Sequence, residues 1–389
     1  MARKELNVAL IGYKFMGKAH TQAWRNAPLY FDVDALPVLK VVCGRSEKPL
    51  EAFARRWGWQ ETETDWAKVV SRDDIDVVDI STPTALHHDI AIAAAEAGKH
   101  IFCEKPFALS SREAREMVDA ARKAPIVHYL NHNYRRCPAV MLARQLMDQG
   151  KIGRVFHWRG AYLQSWIVDP SFPLSWQLQK EHAGAGPHFD LNSHSVDLAR
   201  FLVGEIKSVA AMTASFIPER PVPTADSAAF SGVSEGGEKG KVTVEDAAFM
   251  IVEFESGAIG SFEASRFALG RKNYNIFEIY GSEGALSFDL ERMNELRYFD
   301  GNDPEDAQGF RTILATEPGH PYMANWWPPG HTIGYEHEFT HAVVDFLHAI
   351  TRGEPIQPDF VDGLRCMQVL EAGLESARTG RRVEVTAGR

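Results

Sequence analysis

Leu10-Ile11-Gly12-Tyr13-Lys14-Phe15-Met16-Gly17 follows a short β-branched run and leads into a helical stretch. A strand, a glycine turn and a helix start, in that order, leave free backbone N–H groups at a helix N-terminus, which is what a dinucleotide pyrophosphate requires. The stretch departs from Gly-x-Gly-x-x-Gly because Lys14 stands where a second glycine normally lets the backbone approach the phosphates. The strand-turn-helix setting therefore carries the inference. Gly12, Lys14, Phe15 and Met16 are the candidate cofactor contacts, with the Lys14 ammonium either on a phosphate oxygen or in solvent.

Outward from this turn, β-branched runs at 8–11, 38–42, 77–80 and 100–103 predict strands, and 15–25, 49–57 and 88–97 predict the helices between them. Repeated strand-helix-strand units predict an α/β, doubly wound Rossmann domain over residues 1–130, with ligands at the carboxyl ends of its strands. After residue 131 the texture changes. A helix over 139–149 leads into alternating strands at 154–164, 247–254, 259–266, 275–280 and 285–288, with turns at Glu255-Ser256-Gly257 and Gly281-Ser282-Glu283-Gly284. The expectation for 131–389 is an α+β domain with a large, open, mostly antiparallel sheet. Residues 232–241, rich in Gly, Ser, Glu and Lys, predict a mobile loop, and 339–350 an amphipathic helix.

The bulk properties agree with two such domains. A chain of 389 residues that is 45% hydrophobic can bury more than one core. A formal net charge of −10 opposes a nucleic-acid partner, because phosphate-backbone binding needs clustered Lys and Arg. No apolar signal core precedes the first strand and no run approaches a membrane span, so the expectation is a cytoplasmic protein without a membrane partner. Cys43, Cys103, Cys137 and Cys366 lack disulfide or metal spacing and read as reduced residues in or near cores.

Discrimination between nicotinamide cofactors normally rests on an acidic side chain at the end of the second strand. Here the chain reads Cys43-Gly44-Arg45-Ser46, without a carboxylate. Arg45 and Ser46 suit the 2′-phosphate of NADP, whereas Arg45 stacked on adenine suits either cofactor and Glu47 lies close by. NAD and NADP both remain open.

Glu104-Lys105-Pro106, with the segment from Gly12 to His20, Thr82-Pro83, Asn133-Tyr134-Arg135-Arg136 and the segment from Asp190 to His194, resembles the glucose-fructose oxidoreductase/inositol dehydrogenase family over nearly the whole chain. Ala161-Tyr162-Leu163-Gln164, Pro173-Leu174-Ser175-Trp176 and Ile217-Pro218-Glu219-Arg220-Pro221 are most similar to its levoglucosan, scyllo-inositol and L-glucose dehydrogenase branch. The resemblance implies oxidation of a secondary ring hydroxyl of a sugar or cyclic polyol, a homo-oligomer, and further cofactor contacts at Thr82, Pro83, His87, Glu104 and Lys105.

Such chemistry moves a hydride from a carbinol carbon to the nicotinamide while a base removes the hydroxyl proton. Lys105, at a strand end beside a nicotinamide cation that disfavours a second positive charge, and His194 are the candidate proton-transfer groups. Asp190 and His194 are four apart, so a continuous helix projects both from one face. By resemblance His194 takes the proton, Lys105 hydrogen-bonds the same oxygen and Asp190 orients His194 or a neighbouring hydroxyl. Tyr134, Gln164, Trp176, Ser193 and Tyr335 are the substrate candidates, and Trp166 offers another apolar face. Two features depart from the family pattern: Pro187-His188-Phe189 and Asn192 are larger than its usual residues around this aspartate, and Gln177 replaces a frequent Arg. A silent dinucleotide or sugar sensor on the same fold is the alternative, and intact Lys105, Asp190 and His194 argue against it.

His337-Glu338-Phe339-Thr340-His341 matches a zinc-protease helix. The helix continues through Val343-Val344-Asp345-Phe346-Leu347, and His348 falls roughly 10 Å beyond His341, too far to share a metal. The expectation is no metal: Phe339, Val343, Phe346, Leu347 and Ile350 form a buried stripe and the three histidines another face.

Overall fold

The computed structural model describes residues 3–223 and 238–385. The chain divides into two compact units, Met1–Cys137 with Tyr322–Leu364, and Pro138–Pro321 with Arg365–Arg389.

The first unit holds a six-stranded parallel sheet: β1 (Lys4–Ile11), β2 (Ala35–Cys43), β3 (Glu61–Glu63), β4 (Val77–Ile80), β5 (His100–Glu104) and β6 (His128–Asn131), in the order β3-β2-β1-β4-β5-β6. Val8, Leu10, Val42, Val77 and Phe102 are buried because a parallel sheet covered by helices leaves no wet face. Strand order reverses between β1 and β4, the switch point at which doubly wound sheets bind ligands. Gly12 follows one of these strands and Thr82-Pro83 the other.

The helix Tyr335–Arg352 belongs to this unit, which corrects the expectation that all of 131–389 forms the second domain. Packing decides the matter: Phe346 meets Trp24 at 6.1 Å between ring centroids and Phe102 at 5.4 Å, and Phe339, Val343 and Leu347 join the same core. The helix is also buried more widely than one stripe. His341, Thr340 and Glu338 lie in the interior, while Ile350 is only half-buried.

In the second unit, β7 (Val155–Leu163), β8 (Ile206–Ala214), β9 (Glu219–Pro221), β10 (Lys239–Lys241), β11 (Ala247–Phe254), β12 (Ile259–Ser265), β13 (Tyr274–Gly281), β14 (Gly284–Asp289), β15 (Glu295–Asp300), β16 (Arg311–Leu314) and β17 (Val383–Glu384) form two sheets. The larger has nine strands in the order β16-β15-β14-β13-β7-β12-β11-β8-β17. It is antiparallel except where β7 and β12 pair in parallel. The helices Pro138–Asp148 and Asn192–Leu202 pack against it. Trp158 stacks on Phe277 at 5.4 Å, and Gly160 and Gly260 leave the room its indole needs. On the alternate positions Met212, Phe249, Ile251 and Ile259 are exposed. The expected loop at 232–241 is β-structure at its end, since Lys239–Lys241 pairs with Glu219–Pro221; residues 232–237 lie outside the described residues.

Phe346→Ala removes a ring that packs on both Trp24 and Phe102, and its expected cost is about 3–5 kcal/mol of folding stability. Urea unfolding of the variant against the wild type measures it.

Candidate active site

In the first unit, the helix Phe15–Tyr30 starts at the glycine turn with no side-chain cap and no acidic residue in its first turn, so its N-terminal amides point toward an anion. Gly12 has φ +102, and a Cβ on it would lie 2.5 Å from the Ser81 carbonyl oxygen; one on Gly17 would lie 2.4 Å from the Gly12 oxygen. Both glycines are therefore required by close backbone approach. Lys14 is not in conflict with the turn, because its φ of −78 suits any L-residue and its side chain is exposed. The Thr82 hydroxyl, at the exit of β4, is buried without a hydrogen-bond partner. A glycine cradle, an uncapped helix start and an orphaned hydroxyl at the switch point fit a dinucleotide.

Arg45 and Ser46 are exposed after β2. The neighbouring carboxylates are committed to their own loop: Glu63 accepts the Thr64 and Asp65 N–H groups, and Asp65 accepts that of Ala67. Gly44 is dictated by the Tyr13 ring, which would lie 2.4 Å from a Cβ there.

Behind Lys105 lies a cluster that the sequence does not announce. His20 faces the Asp79 carboxylate at 2.7 Å through Nδ1 and the Glu104 carboxylate at 2.8 Å through Nε2. Trp24 Nε1 donates to Asp79 at 2.6 Å, and Asn131 Nδ2 to Glu104 at 2.6 Å. Burial alone would lower the His20 pKa, but the charges and hydrogen bonds of Asp79 and Glu104 outweigh it and raise it to about 10. Burial likewise opposes the Glu104 charge, and the hydrogen bond and charge of His20 overcome that to hold its pKa down. Glu104 also accepts the Lys105 backbone N–H at 3.2 Å. Expected as a cofactor contact, Glu104 spends its carboxylate on His20, Asn131 and the Lys105 backbone. His87, expected in the same role, is buried with Nε2 3.0 Å from the Thr82 carbonyl and Nδ1 3.0 Å from that of Pro106, so it braces the exits of β4 and β5. Tyr134 is buried and Tyr335 half-buried; their rings lie 6.5 Å apart, and Tyr335 stacks on Phe15 of the glycine turn at 6.2 Å.

The zinc-like histidines have other employment. The Trp326 indole donates to His341 Nε2 at 2.7 Å, which leaves Nδ1–H to donate to the Arg136 carbonyl at 2.9 Å. Burial lowers the His341 pKa to about 3. His337 Nδ1 meets the Gly334 backbone, and His348 the Asp32 carbonyl. Glu338 is buried, accepts from Asn133 at 2.7 Å, and is pushed well above the carboxylate range by burial. No group of three metal-ligating side chains occurs among the described residues.

In the second unit, Asp190 closes the short helix Pro187–Asp190, and His194 lies in the first turn of the next, Asn192–Leu202. This corrects the expectation of one continuous helix. The break has a local cause: the Ser193 hydroxyl donates to the Asp190 carbonyl at 3.3 Å, and the His194 N–H bonds to Leu191 three residues back. Ser193, expected to face substrate, is buried with its hydroxyl in that bond. The His188 and Asn192 departures compensate each other. Asn192 Nδ2 meets His188 Nδ1 at 3.2 Å, so His188 donates through Nε2 to the Leu370 carbonyl at 2.7 Å. Gly373 makes room for the imidazole, which would stand 2.8 Å from a Cβ there.

Tyr162 lies near the end of β7, and Gln164 and Trp166 follow it. Trp166 Nε1 donates to Gln164 Oε1 at 2.7 Å; Gln164 Nε2 donates to Asn273 Oδ1 at 3.0 Å; and the Tyr162 hydroxyl donates to the same oxygen at 2.6 Å. The Tyr162 ring lies 5.7 Å from that of His194. At the other end the Arg266 guanidinium lies 5.2 Å over the Trp166 ring and donates to Asp190 Oδ2 at 2.7 Å. Gln164 and Trp166 thus connect the surroundings of His194 and Asp190. Trp176, half-buried, opens the turn Trp176–Leu178 beside Gln177, whose carbonyl accepts from Arg266 at 3.4 Å. Arg266, Asn273 and His20 escape sequence reading because each is a lone polar residue with no spacing signal.

A dinucleotide cradle joined to a strand-end lysine defines a nicotinamide-dependent oxidoreductase. Residues 6–132 match the model of the oxidoreductase family with an NAD-binding Rossmann fold, and 140–287 match the GFO/IDH/MocA C-terminal domain. Levoglucosan dehydrogenase of Pseudarthrobacter phenanthrenivorans is 45% identical over 385 residues, covering 98% of both chains. A levoglucosan dehydrogenase solved with NADH and levoglucosan superposes with a TM-score of 0.93 at 44% identity, covering 98% of this chain and 100% of that one. An oxidoreductase domain protein from Kribbella flavida gives 0.93 at 48% identity, with 98% and 100% covered. The chain belongs to the glucose-fructose oxidoreductase/inositol dehydrogenase family and is a nicotinamide-dependent oxidoreductase. No helix among the described residues is long and apolar enough to cross a membrane.

His20 ties its stability to pH. Its folded pKa lies above the unfolded value near 6.5, so its contribution is complete below that value and is lost as pH rises through about 10. His20→Ala leaves two buried carboxylates without their cation and should cost about 3–5 kcal/mol near neutral pH. Urea unfolding from pH 7 to 10.5 should show the gap between variant and wild type narrowing toward the upper end.

Proposed function

We propose that this chain oxidises a secondary ring hydroxyl of a sugar or cyclic polyol of the levoglucosan kind, with NAD or NADP. The observation that carries this reading is the 45% identity to levoglucosan dehydrogenase over 98% of the chain. The chain also keeps Lys105 at the exit of β5, and Asp190 and His194 where two short helices meet.

Bound at the glycine turn, the cofactor supplies a nicotinamide ring that accepts the hydride. The Phe15–Tyr30 amides hold the pyrophosphate, Thr82 and Pro83 line the switch point, and Phe15 with Tyr335 provides an aromatic wall. His194 takes the hydroxyl proton, Lys105 donates a hydrogen bond to the same oxygen, and Asp190 holds a neighbouring hydroxyl. Such proton transfer typically contributes ~10²–10⁴-fold to rate. Tyr134, Trp176 and the Gln164 amide complete the substrate surroundings. Arg45 and Ser46 favour a 2′-phosphate, whereas NADH occupies the solved relative, so both cofactors belong in the assay. The exposed apolar positions Met212, Phe249 and Ile251 support a homo-oligomer.

Lys105→Ala and His194→Ala should each lower kcat by about 10²-fold or more while dinucleotide binding persists, since general acid–base groups contribute on that scale. Steady-state kinetics with fluorescence titration of reduced cofactor checks both. A panel of anhydrosugars, inositols, aldoses and glycosides with NAD and NADP, read at the reduced-nicotinamide band, should give turnover with a ring polyol. Silence across the panel despite cofactor binding would count for the sensor reading.

A further inference from the structure

Arg266 follows β12 and its guanidinium is 1% exposed, yet it reaches a carboxylate that remains 31% exposed. Its partners are specific: Asp190 Oδ2 at 2.7 Å, the Gln177 carbonyl at 3.4 Å, and the face of Trp166 at 5.2 Å. Trp166 is held through Gln164, and Gln164 through Asn273, so the guanidinium rests on a framework of oriented hydrogen bonds. Arginine remains charged at every working pH and matches carboxylate geometry. A carboxylate has about four lone-pair positions, and the 31% exposure of Asp190 leaves it open to a substrate hydroxyl.

We infer that Arg266 is a positioning residue that makes Asp190 a fixed hydrogen-bond acceptor for a second substrate hydroxyl, next to the one oxidised, and leaves proton removal to His194. The substrate class narrows accordingly to ring polyols with vicinal hydroxyls. This rests on the polyol reading above. The chemistry is a division of labour: His194 accepts the proton of the oxidised hydroxyl as its carbinol hydride leaves, and Asp190 keeps its charge throughout. A site built to hydrogen-bond a substrate hydroxyl penalises an analogue that lacks it, by up to ~10⁴-fold.

The experiment compares kcat/KM for levoglucosan with that for its monodeoxy analogues lacking a hydroxyl adjacent to the oxidised carbon. The enzymes are wild type, Arg266→Ala, Arg266→Lys and Asp190→Asn, each with cofactor binding and circular dichroism verified. The wild type should prefer levoglucosan by ~10²-fold or more. Arg266→Ala and Asp190→Asn should each shrink that ratio at least tenfold, and Arg266→Lys, which keeps the charge, should restore part of it. A merely structural arginine lowers activity on both substrates alike, and an unchanged ratio in Arg266→Ala overturns the inference. If Arg266→Ala does not fold, an unchanged ratio in Asp190→Asn overturns it equally. A wild type that oxidises no ring polyol removes the reading beneath the inference and the inference with it.

Discussion

A buried imidazolium between two carboxylates is the constraint on which the cofactor half depends. His20 extends from the helix that starts at the glycine turn, Asp79 from β4 and Glu104 from β5, so one ring joins three elements that meet at the switch point. Desolvating three charges is expensive, and only complete mutual hydrogen bonding, with Trp24 and Asn131 satisfying further oxygens, makes the arrangement tolerable. Its return is geometric. Lys105 leaves β5 with its backbone N–H on Glu104, and the His87 ring packs between the Pro106 and Thr82 carbonyls, so the lysine and the phosphate turn are referenced to one frame.

The second unit solves the corresponding problem with neutral groups and one arginine. Tyr162 lies in the sheet, Gln164 and Trp166 follow its strand, and hydrogen bonds through Asn273 fix the amide orientation of Gln164. His188, Asn192 and Gly373 form a separate brace on the helices that carry Asp190 and His194. The two larger residues that depart from the family pattern thereby bond to one another.

The parallel strands were legible because strands buried on both faces read as β-branched runs; the expected 77–80 is the strand Val77–Ile80. The strand Ala247–Phe254 was equally legible, from alternation. Periodicity shows that 339–350 has an apolar face but not which core covers it, and only the fold shows Trp24 and Phe102 packing on it. Spacing of four between Asp190 and His194 read as one helix because a side-chain bond such as that of Ser193 to the Asp190 carbonyl leaves no periodic trace. Gly12 and Gly17 were readable from the turn, whereas Arg266 and His20 acquire meaning only when the fold brings partners 76 and 84 residues away to them.

Hydride removal from a ring carbinol carbon can be followed by isotope transfer. Levoglucosan deuterated at its ring carbinol carbons, turned over with NAD or NADP, should yield reduced cofactor carrying one deuterium at nicotinamide C4, read by mass spectrometry, with a ketone as product. Reduced cofactor without the label, or none from any ring polyol despite cofactor binding, would contradict the account.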